Sequence, residues 1–471
     1  MDSRIADLVA SLPEEAHRPT TPEDQLARLL ADLASRPVPT GRVHRAWSLG
    51  TLSAKVAAGW LWTWLRGSFA GEEERVRRSN EARMRAAVAI LGRMGYLRGA
   101  VMKVGQLLAN YPDLVPEQLL EMLSRLHFEA PPMHYALLAE HVRRELGGEP
   151  EEVFASFERE AFAAASLGQV HRARSRAGEE LAVKVQYPGI GRTIEADLRN
   201  LSILMAPMRL GPDRDNLAEQ FAYVRDMLLL EVDYESEASF LERARAAVAE
   251  LEDVVVPRVH RETSTRRVLS MERLEGLHLT EWLATDPDQG ERDRVATLLV
   301  RSTTRLFFGE RLCWGDPHPG NVMVLPDGRL GLLDFGSCRS FDAHEWKLMT
   351  LGIEGYRGDS EKLREVMRIA CDLSPQQAAD PERMRHLEAY ARWHWEPMEV
   401  GDELFDFGDR DYIQRGMRLF GESSRRRYTR AHPVNLYNAR HLYGARVLAF
   451  HMRARVRMGR IMDEELARAG I

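Results

Sequence analysis

The stretch that most constrains this chain runs from 313 to 336, Cys-Trp-Gly-Asp-Pro-His-Pro-Gly-Asn-Val-Met-Val-Leu-Pro-Asp-Gly-Arg-Leu-Gly-Leu-Leu-Asp-Phe-Gly. Asn321 follows Asp316 by five residues, and Asp334-Phe335-Gly336 begins eighteen residues after it. Phosphoryl transfer needs a carboxylate near the attacking oxygen. It also needs hard oxygen ligands for Mg²⁺, which carboxylates and amides supply. Between the two motifs stand Val322-Met323-Val324-Leu325, a turn at Pro326-Asp327-Gly328, and Leu330-Gly331-Leu332-Leu333. Two apolar runs around an Asp-Gly turn predict a β-hairpin that holds Asn321 and Asp334 on the same side. Singly the motifs are weak: Asp-Phe-Gly is a common tripeptide, and the proline-rich run suits a surface loop. Jointly, at this spacing, they predict a nucleotide phosphate site. A metal site through His318 is set aside, because no partner ligand stands at metal spacing.

Composition narrows the class. The 471 residues carry a net charge of −6, so there is no global nucleic-acid footprint and no nucleic-acid partner is expected. Three cysteines (Cys313, Cys338, Cys371) make no disulfide framework and point to a reducing, cytoplasmic setting. The N-terminus lacks the basic-then-apolar layout of a signal peptide. No run reaches the ~18 apolar residues of a membrane span. The ten residues Val56 to Leu65 come closest. Their three tryptophans (Trp60, Trp62, Trp64) suit a buried helix face, the plainer reading, or a membrane interface.

Of 65 basic residues only five are lysine (Lys55, Lys103, Lys184, Lys347, Lys362); the other sixty are arginine. A lysine in such a chain is expected where a compact ammonium is needed and a planar fork does not fit.

Residues 1–42 read as a mobile linker with a short helix, capped at Thr21-Pro22-Glu23-Asp24. Residues 43–150 read as helical, with Lys103 and Gln106 on one helix face. At 153 the period changes. Val153 to Ala161 leads into Ala163-Ala164-Ala165-Ser166-Leu167-Gly168, then a β-branched strand Glu180 to Gln186 carrying Lys184. A loop over the phosphates followed by a strand lysine is the opening order of a kinase N-lobe. The alanines stand where glycines are expected, so the loop is predicted to be stiff. Helices are predicted over 190–210 and from about 216 to 251. The second places Asp233 and Glu237 on one face and Glu231 elsewhere. Val268 to Gly276 reads as a strand entering a hinge, with Met271 and Glu272 beside an adenine base. Residues 151–276 then make the N-lobe and 277–471 a helical C-lobe. Arg425-Arg426-Arg427-Tyr428 reads as a solvated turn, with an anionic-lipid contact as the sharper alternative.

This set of motifs resembles the UbiB/AarF/ADCK family of atypical kinases, whose members support ubiquinone biosynthesis. The likeness covers roughly 85–345 well and the tail loosely. It implies an α+β, bilobal protein-kinase-like fold, with a small β-rich N-lobe, a helical C-lobe and an N-terminal helical extension packed over the active site. It implies ATP or ADP and Mg²⁺ as cofactors, with Asn321 and Asp334 as metal ligands and Asp316 as catalytic carboxylate. Lys184 would pair with Glu237, and Lys103 and Gln106 would face Glu231 and Asp233. Implied partners are a nucleotide, a lipid or quinone-precursor ligand, and a peripheral contact with the inner face of a membrane. The chain departs from the family pattern at Trp314-Gly315, where many members carry His-Ala. An aminoglycoside- or choline-kinase-like phosphotransferase and a nucleotide-gated scaffold are the competing readings.

Overall fold

Alternation along one strand decides the architecture of the β-rich half. In Glu180–Gln186, residues Leu181, Val183 and Val185 point to one face and are fully buried. They meet Leu138 and Val142 of a helix, Phe154 and Phe157. Ala182, Lys184 and Gln186 are thereby sent to the other face, toward the cleft. The computed structural model describes residues 133–165, 167–191, 225–426 and 444–471, with the single positions 194, 222, 428 and 441. The expectations for residues 1–132, for most of the 190–210 helix and for Ser166 and Arg427 lie outside them.

The first elements are α1 (Tyr135–Leu146), α2 (Pro150–Val153), β1 (Ser156–Ala165), β2 (Gly168–Arg174), β3 (Glu180–Gln186) and α3 (Tyr234–Ala247). There follow β4 (Val254–Val255), β5 (Val268–Glu272), β6 (Leu277–His278), α4 (Leu279–Ala284) and the long α5 (Gln289–Glu310). An antiparallel sheet has the order β1-β2-β3-β5. Ala163, Ala164 and Ala165 pair with Val170, Gln169 and Gly168. The alanines are therefore the end of β1, and not the loop that the sequence suggested. Gly168 is required by the sheet itself: a Cβ there would stand 2.3 Å from the Val185 carbonyl oxygen.

The central motifs lie on β7 (Leu312–Cys313), β8 (Val322–Val324), β9 (Leu330–Leu332) and β10 (Arg339–Ser340). β8 and β9 form the predicted hairpin, with Val322 opposite Leu332, Met323 opposite Gly331 and Val324 opposite Leu330. Gly328 makes its turn at φ +86°. The hairpin joins β4 and β6 in a second sheet of order β4-β9-β8-β6. β10 pairs with β7, placing Arg339 opposite Cys313, so the stretch from 313 to 339 closes on itself.

The remainder is mostly helical: α6 (Ala343–Tyr356), α7 (Ser360–Ala370), α8 (Pro375–Ala378), α9 (Pro381–Glu399), α10 (Arg410–Arg425) and α11 (Met458–Ala469). A small ribbon of β11 (Phe405–Asp406) and β12 (Arg455–Val456) joins the last part. α11 is locked to α5 by a bidentate ion pair, Arg305 Nε and Nη2 to the Glu465 carboxylate at 2.9 and 2.8 Å. Both side chains are buried. Removing Glu465 leaves the Arg305 guanidinium buried without its carboxylate. Glu465→Ala is expected to cost about 3–5 kcal/mol in urea unfolding, and Arg305→Met with Glu465→Leu to recover most of it.

Candidate active site

The site is built on the one charged residue of β3 that faces the cleft. Lys184 Nζ donates to Glu237 Oε1 at 2.6 Å and to Asp334 Oδ2 at 3.0 Å. It also lies 5.6 Å from the centroid of the Tyr234 ring. Lysine and glutamate are nearly inaccessible, whereas the Asp334 side chain is 35% exposed. Burial works against the ammonium, but Asp334 and Glu237 outweigh it and hold Lys184 well above the ordinary lysine value. Burial pushes Glu237 up to about 7, with Lys184 pulling it back and Asp334 pushing it further. For Asp334, burial is overcome by Lys184 and by the Gly336 N–H, so its carboxyl sits below the usual range. Asp316 opposes that lowering, which places the two aspartates in one electrostatic field.

Glu237 is presented by the first turn of α3, and that helix begins where it does because of Asp233. The Asp233 side chain accepts the N–H groups of Glu235 and Ser236, the donors a helix start leaves unbonded. The sequence placed Asp233 inside one continuous helix from 216 to 251; instead the chain breaks at Val232-Asp233. The other Asp233 oxygen faces Arg266 at 3.3 Å. Gln186 of β3 ties the same break down, donating to the Val232 carbonyl at 2.8 Å. Glu231 is buried and accepts from Ser337 Oγ at 2.7 Å, so it grips the residue after Asp-Phe-Gly. Lys103 and Gln106, expected to face these two acids, lie outside the described residues.

The 313–336 stretch assembles the remaining groups. Asn321 Nδ2 donates to the Asp316 carbonyl at 2.9 Å, and the Asn321 carbonyl accepts from Leu333 N–H at 3.0 Å. With the amide nitrogen committed, Oδ1 is the atom Asn321 offers a ligand. Asp334 Oδ1 accepts from Gly336 N–H at 2.9 Å. His318 takes the Gly320 N–H on Nδ1 at 3.1 Å, a local turn. Mg²⁺ is ordinarily held by one or two carboxylates completed by substrate phosphates and water. One aspartate open to the cleft and one amide oxygen on the same hairpin fit that donor set.

The hinge differs from expectation. Met271 is buried opposite Ala182, as a residue lining a base site should be. However, the Glu272 N–H donates to the Arg258 carbonyl at 2.8 Å and the Arg273 N–H to the Glu180 carbonyl at 3.0 Å. These two backbone donors are thus already used within the protein. Two further groups escaped the sequence reading. The Gln169 side chain accepts from Met133 N–H and bonds His171 Nε2 at 3.0 Å, fastening the start of the described chain to β2. Trp314 Nε1 donates to the Asp334 carbonyl at 2.8 Å.

A proton linkage follows from Glu237. Its folded value lies above the ordinary glutamate value of 4.5, so the unfolded chain loses that proton first. This group's contribution to stability is complete below about 4.5 and declines as pH rises toward 7. Between pH 5 and 7 the stability of wild type relative to Glu237→Gln is expected to fall by on the order of 2 kcal/mol, read by urea unfolding at each pH.

The ABC1 atypical kinase-like domain matches residues 125–367. The protein ACTIVITY OF BC1 COMPLEX KINASE 8, chloroplastic, of Arabidopsis thaliana is 33% identical over 273 residues, covering 56% of this chain and 36% of that one. Atypical kinase COQ8B, mitochondrial, of Danio rerio is 28% identical over 447 residues, covering 91% and 69%. The chain thus spans between about a third and about two thirds of the first curated relatives it matches. Rv3197 from Mycobacterium tuberculosis, solved in complex with erythromycin, aligns with a TM-score of 0.54 at 26% identity, covering 84% of this chain and 98% of that one. With a kinase-like fold, and with a domain match that takes in Lys184, Glu237, Asp316 and Asp334, this chain belongs to the ABC1 atypical kinase-like family of UbiB and AarF proteins.

Proposed function

We propose that this protein is a Mg²⁺-dependent ATP-binding phosphotransferase or ATPase of the UbiB type, acting on or near a lipid or other small molecule and not on protein chains in trans. The observation that carries the reading is the Lys184 ammonium held between Glu237 and Asp334, opposite an Asn321 amide whose nitrogen is already bound. In that reading Lys184 orients the α- and β-phosphates, and Glu237 keeps the ammonium aimed at them. Gly168 and the end of β1 cover the phosphates, while Met271 and the hinge receive the base. Asp316 takes the acceptor's proton or orients the attacking oxygen. Asn321 and Asp334 would hold Mg²⁺, which when bound neutralises charge on the transferring group. A neighbour solved with a macrolide supports a small-molecule acceptor.

If this is right, Asp334→Asn abolishes the thermal stabilisation that ADP and MgCl₂ together give the wild-type protein. Equal stabilisation in the variant would sink the metal assignment.

A peripheral lipid contact has its own support on α10. Met417 is 69% exposed and Phe420 45%, and with Ile413 they form one apolar ridge. Exposed Arg410, Arg418 and Arg425 stand on the flank and the polar face of the same helix. Arg426, in contrast, is taken up by Glu382 and Glu422. An apolar ridge flanked by arginines is the composition of a helix lying at an anionic membrane surface. Co-sedimentation with vesicles containing phosphatidylglycerol is expected for wild type, with loss of most binding in Met417→Glu/Phe420→Glu and in high salt. Binding that is equal on zwitterionic vesicles contradicts it.

A further inference from the structure

His441 is almost fully buried at a point 127 residues from the backbone group it holds. Its Nδ1 accepts the Trp314 backbone N–H at 3.1 Å. A backbone nitrogen can only donate, so Nδ1 carries no proton. The ring also hydrogen-bonds the Thr303 backbone and stacks on Phe307, with centroids 5.0 Å apart and planes at 28°. Burial pushes His441 down to about 4, which keeps it neutral near pH 7. Trp314, itself buried, then passes its indole N–H to the Asp334 carbonyl at 2.8 Å and lies 6.3 Å from the Phe335 ring. The same C-terminal segment presses on the other side of Asp316. At Gly444 a Cβ would stand 1.7 Å from Pro317 Cγ, so no side chain fits between them.

We propose that His441 and Trp314 are positioning residues: a relay through which the C-terminal segment sets the backbone of Asp334, and with it the carboxylate that faces the metal. This rests on the phosphoryl-transfer reading above. Packing alone does not account for the residue types. An apolar ring would fill the volume at either position with no buried polar atom to satisfy, yet both positions carry polar rings. Both of those polar atoms are aimed at backbone groups of the catalytic and metal loops. Gly315 closes the arrangement: a Cβ there would stand 2.2 Å from the Ser337 carbonyl oxygen, so the two loops touch directly beside Trp314.

The test uses the full chain and two readouts: the MgCl₂ concentration for half-maximal thermal stabilisation at fixed ADP, and the melting temperature without metal. Trp314→Phe keeps a ring against Phe335 and removes only the indole donor. His441→Phe keeps the stack on Phe307 and removes the acceptor. Each is expected to raise the Mg²⁺ midpoint about fivefold, the worth of one neutral hydrogen bond, while the response to ADP without metal stays at the wild-type level. His441→Asn, whose amide oxygen can take the Trp314 N–H, is expected to restore most of the midpoint. If Trp314→Phe and His441→Phe keep the wild-type Mg²⁺ midpoint, whatever their melting temperatures, the relay is overturned and the contacts are packing. If His441→Phe does not fold, Trp314→Phe decides alone. Asp334→Asn separates the two levels. An unchanged midpoint in that variant means that the metal-site reading has failed, whereas its loss beside an unaffected Trp314→Phe means that only the relay has.

Discussion

A buried ammonium imposes the central constraint on this molecule. Lys184 is delivered to the cleft by strand alternation, with no water to solvate it, and it survives as a cation only beside two carboxylates. Those carboxylates come from different places: Glu237 from the first turn of α3, and Asp334 from the loop after β9. Neither acid is comfortable without the lysine, since each is buried or half-buried near the other's charge. The triad therefore acts as a test of assembly. The lysine is the group it cannot do without: with Lys184 gone, Glu237 and Asp334 face each other with no cation between them.

The surroundings of the triad are closely hydrogen-bonded. A glycine-rich lid would owe its freedom to backbone without side chains. Here the alanines lie in paired strand, and the one glycine is there to let β3 pass. The Glu272 and Arg273 donors at the hinge are spent on Arg258 and Glu180. Glu231 and Trp314 hold Ser337 and the Asp334 carbonyl. In the proposed function it is the lysine side chain that turns from Asp334 toward a phosphate.

How much of this was legible depended on the range of the interaction. The β8–β9 hairpin was, because Asp327-Gly328 between two apolar runs is a local instruction that tertiary contacts had no reason to override. The cleft-facing Lys184 was, because strand alternation is local too. The pairing of Lys184 with Glu237 came from family resemblance; periodicity alone could not choose among Glu231, Asp233, Glu235 and Glu237. The break at Asp233 was missed since every residue around it tolerates a helix, and only the side chain's competition for two N–H groups ends one. The alanines were read as loop because strand pairing with β2 is not written in their own composition. His441 carried no signal at all: a histidine in a helical stretch gives no hint of a partner 127 residues earlier.

The short ribbon of β7 and β10 has a consequence for how such a machine can be driven. By tying Cys313 to Arg339, it shuts Asp316, the hairpin and Asp334 into one ring of chain. Asn321 is tied to Asp316 within the same ring by its side-chain amide, so the two are held together by contacts of the ring itself. A shift of the β-rich half against that ring would then act on the Lys184–Asp334 distance. In the reading proposed above, holding Lys184 away from that ring would be enough to silence the site.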